Sequence, residues 1–131
     1  MIKLFLLSIL LHIIDDFVLQ PICLSKLKQK KWWIEECKRQ ELDFKEYKND
    51  YKCALLIHSL SWAIMVSLPL LLTDTINHVY LAMIIVLNAL LHYTIDDDKA
   101  NLHVTNLCQD QSLHLLQIIG YYVCAYVLVN T

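Results

Sequence analysis

The chain has 131 residues, of which 57% are apolar and 18% charged, with a formal net charge of −2. That length suits one domain, and the apolar share exceeds the 45–50% or so of soluble domains. The net charge excludes little, because the charges are unevenly placed; the single glycine, Gly120, excludes a glycine-rich phosphate loop.

Four stretches approach the roughly 17–25 apolar residues that a bilayer demands of a helix. The first, over 2–20, opens with a lysine and an apolar run as a secretory signal would. No small-residue cleavage site follows, and the run leads into Asp15, Asp16 and Gln20, so it is expected to remain as helix one. Its last turn, bearing both aspartates, is expected to face protein or water. From 21 to 52 the composition turns to Lys, Glu, Trp and Gln, which predicts a cytoplasmic, partly helical connection. Trp32 and Trp33 beside Lys30 and Lys31 read as an anchor in the bilayer's interface. Glu35, Glu36, Glu41, Asp43, Glu46 and Asp50 dilute the positive charge, so a nucleic-acid partner is not expected. Phe44, Tyr47 and Tyr51 share a helical face and would extend helix two into the cytoplasm.

Helix two is expected over 53–73, helix three over 79–97 after a short connection at 74–78, and helix four over 110–130. Residues 81–87 and 120–129 are apolar on every side, which favours lipid over water as their solvent. Nine of the eleven Lys and Arg residues fall between Lys26 and Lys52, a tenth is Lys99, and Lys3 is the last. By the positive-inside rule both loops carrying them are cytoplasmic and both termini face outward. The expected fold is therefore all-α: one transmembrane domain over 1–131, an integral-membrane four-helix up-down bundle.

Ionisable groups at membrane depth cost roughly 2.5–3.5 kcal/mol for an aspartate on insertion scales and usually carry function. Here His12 and Asp16, His92 and Asp96, and Asp110 and His114 stand four apart, which stacks each pair on one helical face. With His58, they all fall at one side of an up-down bundle, near the cytoplasm. Imidazole with carboxylate suits zinc, manganese or iron. The expectation is that His12, Asp16, His58, His92, Asp96, Asp110 and His114 hold one or two divalent transition-metal ions. Two ions roughly 3.5–4 Å apart would activate water and stabilise a leaving phosphoester oxygen. One of Asp16, Asp96 and Asp110 would then serve as general base. Lys99 has two readings, a phosphate-binding point charge or a snorkelling interfacial lysine. Asn101 and Gln111 either orient ligands or cap helices, with Asp110 an expected N-cap. His58 lacks an acidic residue four positions away, and His78 and His103 read as solvated loop residues. The five cysteines contain no CxxC pair, which argues against a disulfide framework or a zinc ribbon, and no serine has a triad context.

The segments running from His12 to Gln20, from His92 to Leu102 and from Asp110 to His114, with His58 between the first two, resemble the small bacterial and phage membrane proteins of domain of unknown function family 3307. The likeness spans nearly the whole chain, with its motifs in order, on His12, Asp16, His58, His92, Asp96, Lys99, Asp110, Gln111 and His114. It implies a polytopic, often phage- or prophage-borne protein of the bacterial inner membrane. Asp15 departs from it, because a small residue is expected before the motif aspartate. A fainter similarity links the pattern to inner-membrane proteins described as metal-dependent hydrolases.

The leading expectation is a metal-dependent hydrolase that acts on a phosphoester, lipid or nucleotide, at the cytoplasmic membrane surface. Its partners would be the bilayer and a phosphate-containing substrate. The alternatives are a divalent-metal or proton transporter using the same residues, and a phage-type membrane interaction protein with a structural polar cluster.

Overall fold

Apolar runs broken by one short polar stretch build a helical protein, and every regular element in the described residues is helical. The computed structural model describes residues 1–20, 22–73 and 76–130. Pro21, Asp74 and Thr75, expected in the two connections, lie outside them. Helix α1 (Ile2–Ile14) runs on into a π-helical turn, Asp15–Leu19. The connection forms α2 (Ile22–Leu27), α3 (Lys30–Arg39) and α4 (Phe44–Tyr47). Three long elements follow: α5 (Asp50–Thr73), α6 (His78–Asp97) with a second π-helical turn at Asp98–Leu102, and α7 (Leu107–Asn130).

Short polar side chains set the later boundaries. Asn77 starts α6, its side-chain oxygen accepting from the Val79 N–H at 2.9 Å. Asn106 and Gln109 bond each other's backbone N–H groups, both at 3.0 Å, which is a reciprocal cap that satisfies two orphan donors. The expectation of Asp110 as N-cap is thereby corrected. Asn106 takes that place, and Asp110 lies in the first turn of α7 with its N–H bonded to the Asn106 carbonyl. His103, at φ 55°, ends the second π-helical turn in the left-handed region.

Among the described residues three helical stretches are long and apolar enough to cross a membrane: Phe44–Thr73, His78–Leu102 and Leu107–Val129. The first expected span is not among them. Lys3, Asp15 and Asp16 interrupt its apolar character, and the regular α-helix stops at Ile14. The extension of helix two towards Phe44 is present, as α4 followed closely by α5. Large apolar side chains cover the outer faces of the long helices; Met83 is 64% exposed, Leu116 62% and Ile57 65%. Contiguous exposed apolar surface on this scale is foreign to soluble monomers and suits contact with lipid.

Hydrogen bonds and ring contacts fix the order of the helices. Ser8 donates to the Val66 carbonyl at 2.5 Å, while one turn on His12 meets Trp62, so α1 and α5 run antiparallel. Asn88 faces Gln117 and His92 faces His114, which makes α6 and α7 antiparallel too. Between these contacts lies a core of Trp62, Val66, Leu70, Leu81, Ile118 and Ala125, completed by Leu4, Phe5 and Ile9 of α1. Where lipid replaces water, such packing acts through close contact and hydrogen bonds rather than through transfer from water.

The connection folds on itself and against the end of α6. Trp33 donates its indole N–H to the Leu27 carbonyl at 2.9 Å and stacks on Tyr47, so part of the expected interfacial anchor is spent inside the connection. Arg39 and then Gln40 bond the Glu36 carboxylate and hold it below its ordinary range. Asn101 is one tie to the bundle: it accepts from the Lys30 N–H at 2.7 Å and donates to the Lys28 carbonyl at 3.0 Å. A further bond to Asp97 at 2.7 Å fixes its amide.

Candidate metal centre

The i, i+4 pairs do what their spacing requires. Side chains one helical turn apart point the same way, and the three helix faces bearing the pairs turn inward at one end of the molecule, together with the His58 face of α5. His12, His58, Asp96, Asp110, His92 and His114 are all buried, the last two completely, and Asp16 is nearly so. Asp96 stands at the middle. Its Oδ1 is 3.4 Å from His114 Nε2 and 3.6 Å from His92 Nε2; its Oδ2 is 3.3 Å from His58 Nε2. His58 Nε2 is in turn 3.3 Å from His92 Nε2 and 3.7 Å from Asp16 Oδ1. His114 Nε2 also lies 3.5 Å from Asp110 Oδ1.

Two sets of three side chains bring one ligand atom each to within 4.8 Å of one another: Asp16, His58 and His92, and His92, Asp96 and His114. Both include His92, whose Nε2 faces His58 and Asp96 alike. An imidazole nitrogen has one lone pair to give. The two sets are therefore alternative or overlapping shells for a single ion, and the dinuclear option is the weaker of the two expected. The donor chemistry fits zinc, manganese or iron. Several polar atoms at this centre are buried without a hydrogen-bond partner among the described residues: Asp16 Oδ1, Asp110 Oδ1, His92 Nδ1 and both ring nitrogens of His114. Such groups cost roughly 1–3 kcal/mol each when left unsatisfied, and a cation offers the carboxylate oxygens and the imidazole lone pairs a partner.

Two of the expected ligands stand apart from these sets. His12 accepts the Trp62 indole N–H at its Nδ1, 2.8 Å away. In the neutral ring the hydrogen is then on Nε2, so neither nitrogen has a free lone pair, and His12 acts as an acceptor rather than a ligand. Asp110 is turned towards Lys99, whose Nζ lies 2.6 Å from its Oδ2. Gln111 donates to Asp16 and to Asp110, both at 3.1 Å, and so orients carboxylates rather than capping a helix.

Two neighbours, Lys28 and Trp62, escaped the sequence reading. Lys28, from the connection, is 7% exposed and its Nζ is 2.6 Å from Asp96 Oδ2. It is one of nine cations in a charged stretch, and nothing local distinguishes it. Trp62 stacks on His92 with ring centres 4.1 Å apart. It stands four residues after His58, the same spacing that revealed the other pairs, so that signal was present. Asp15, in the turn expected to face protein or water, is buried in protein; Ser61 reaches it at 3.4 Å and His58 Nδ1 lies 3.9 Å from its Oδ2.

A cavity of about 350 Å³ leads from the surface to this centre. Asp16, Asp96 and Asp110 form its inner wall, with Lys28, Lys99 and Gln111; His103, Phe17 and Leu107 stand further out. His103, expected as an ordinary loop residue, is exposed at this cavity. Lys99 is 39% exposed at its side chain and lines the same wall, which matches its phosphate-facing reading better than the snorkelling one. Comparison of the chain with protein-family models, with curated proteins and with solved structures finds no match. The family resemblance accordingly rests on the motifs themselves.

Proposed function

We propose that this protein is a membrane-embedded, metal-dependent hydrolase of phosphoesters, with one divalent ion held by Asp16, His58, His92, Asp96 and His114. The observation that carries this reading is the overlap of two ligand sets on His92, which share Asp16 and Asp96 with the wall of a cavity that also bears two lysines. In this reading α1, α5, α6 and α7 form the expected up-down bundle in the bacterial inner membrane. The Lys-rich connection lies in the cytoplasm, and the cavity opens on that side. The motif likeness to family 3307 and to inner-membrane hydrolases accords with it.

The chemistry follows from charge. Three carboxylates line the cavity against two ammonium groups, so an anionic ester is disfavoured until a divalent cation adds its charge. A bound ion would supply Lewis acidity and lower the pKa of water. Lys99 and Lys28 then stand where the non-bridging oxygens of a phosphate gain charge-assisted hydrogen bonds. Lys28 also holds Asp96 Oδ2 and leaves Oδ1 turned to His92 and His114, which fixes the carboxylate's orientation. Asp110, outside both ligand sets and bonded to Lys99 and Gln111, is the carboxylate best placed as general base. Transport through the same residues is the weaker reading, because fully buried Trp62, Ile118 and Leu70 fill the bundle beyond the cluster.

The test is phosphate release from a panel of phosphoesters by purified, metal-loaded protein. Turnover should vanish with chelator and in Asp110→Asn, which should retain the ion. Metal flux into proteoliposomes without turnover of any ester would overturn the reading in favour of transport.

A further inference from the structure

The cavity's position and rim narrow the substrate class. Its inner wall is charged, yet its rim carries Phe17, 58% exposed, and Leu107, 54% exposed. Phe17 belongs to the π-helical turn that ends the α1 helix, and Leu107 opens α7. Across this seam the described side-chain bridge is Gln111 to Asp16, with Ser8 to Tyr122 and the ring contact of His12 with His114 deeper in. Leu102 and Val104, the chain neighbours of the cavity-lining His103, are 62% and 64% exposed. Two large apolar residues, Phe17 and Leu107, thus stand at the entrance of a polar cavity.

Depth points the same way. The stretch His78–Leu102 ends, and Leu107–Val129 begins, at the level of this entrance. In a bilayer that level is the headgroup region, where the phosphates of lipids lie and the acyl chains begin. A soluble phosphoester has no use for apolar side chains at the entrance. A lipid has, because its chains remain among Phe17, Leu107 and the bilayer while its phosphate enters the cavity. Inside, Lys28, Lys99 and the ion are three separate cationic partners, one for each non-bridging oxygen of a terminal phosphate.

We propose that the cavity admits the terminal phosphate of a membrane lipid sideways, through the Phe17–Leu107 seam, and that a lipid phosphomonoester is the substrate. This rests on the hydrolase reading above. In the reaction a water oxygen bonds to phosphorus and the ester P–O bond breaks. One water proton ends on the glycerol oxygen and the other stays with the released phosphate, so water is the only co-reactant.

The experiment uses metal-loaded full-length protein in detergent or nanodiscs, offered phosphatidic acid in one arm and glycerol phosphate or a nucleotide in the other. Phosphate release and the thermal midpoint of the protein are both read. Release should be faster by about tenfold or more from the long-chain ester, roughly the gain from burying two methylenes. Phosphatidic acid should also raise the midpoint further than glycerol phosphate. In Phe17→Asn/Leu107→Asn, which removes the apolar surface without adding charge, the advantage should disappear while turnover of glycerol phosphate is kept. Equal turnover in the two arms, or an advantage that survives the double substitution, overturns lateral lipid entry and leaves the hydrolase intact. A midpoint raised by phosphatidic acid alone, without turnover, upholds the lipid site and overturns the hydrolase. No turnover and no shift in either arm removes both.

Discussion

The two ends of the helical bundle are built on opposite principles. Beyond Trp62, the helices meet through Val66, Leu70, Leu81, Ile118 and Ala125, with hydrogen bonds confined to pairs such as Ser8 with Tyr122. At the other end four carboxylates, four imidazoles and two ammonium groups share one buried volume. Apolar packing holds helices together at little cost in either solvent. A cluster of buried ionisable groups holds them together only if its polar atoms are satisfied, and several here have no hydrogen-bond partner among the described residues. The difference teaches that one end supplies the scaffold's stability, and that the other is retained for what it binds.

The sharpest way to strain this contrast is to remove the internal cation. Lys28→Met leaves Asp96 buried without its ammonium, which should destabilise the metal-free protein by about 3–5 kcal/mol. Loading with a divalent ion should restore much of that loss, because the ion takes over the charge. Denaturation of both forms, with and without metal, reads the effect. An equal loss in both would mean that no cation substitutes for the lysine.

At the apolar end, Leu70→Ala opens a cavity in the core and should cost about 2–5 kcal/mol. Metal content should be unchanged once the variant is folded. A variant that folds yet loses its metal would show that the two ends are one cooperative unit, and would erase the distinction drawn here.

The smallest effect is expected where the two ends meet. His12→Phe removes the acceptor for the buried Trp62 indole and should cost roughly 1–3 kcal/mol. Because His12 has no lone pair to offer, the variant should bind metal with the native stoichiometry. Loss of the ion in His12→Phe, measured by elemental analysis, would return His12 to the ligand set.

Much of this was legible in the sequence. The long apolar runs gave α5, α6 and α7 close to their observed ends, and the i, i+4 pairs brought His92, Asp96, Asp110 and His114 to one face each. That these faces converge followed from alternating helix direction. The N-terminal run from Ile2 to Gln20 is not among the stretches long and apolar enough to cross a membrane, because Lys3, Asp15 and Asp16 interrupt it; both aspartates fall in a π-helical segment at the site. Asp110 was misplaced as a cap because Asn106, four residues earlier, competes for the same role with a better partner in Gln109. Lys28 could not be singled out, since its burial comes from tertiary contacts far along the chain, its own ammonium on Asp96 and the Asn101 amide on its carbonyl. Spacing shows which face His12 shares, and not that its Nδ1 accepts the Trp62 indole N–H, a tertiary contact outside that signal.

The central claim is that imidazoles and carboxylates from separate helices hold one ion at His92. Elemental analysis of detergent-purified, metal-loaded protein, paired with X-ray absorption at the metal edge, tests it most directly. The account expects about one equivalent of transition metal per chain, a shell of imidazole nitrogen and carboxylate oxygen at roughly 2.0–2.2 Å for zinc, and none retained in His92→Ala. An ion held as firmly by His92→Ala as by the native chain, or a native chain that holds no ion after loading, would contradict it.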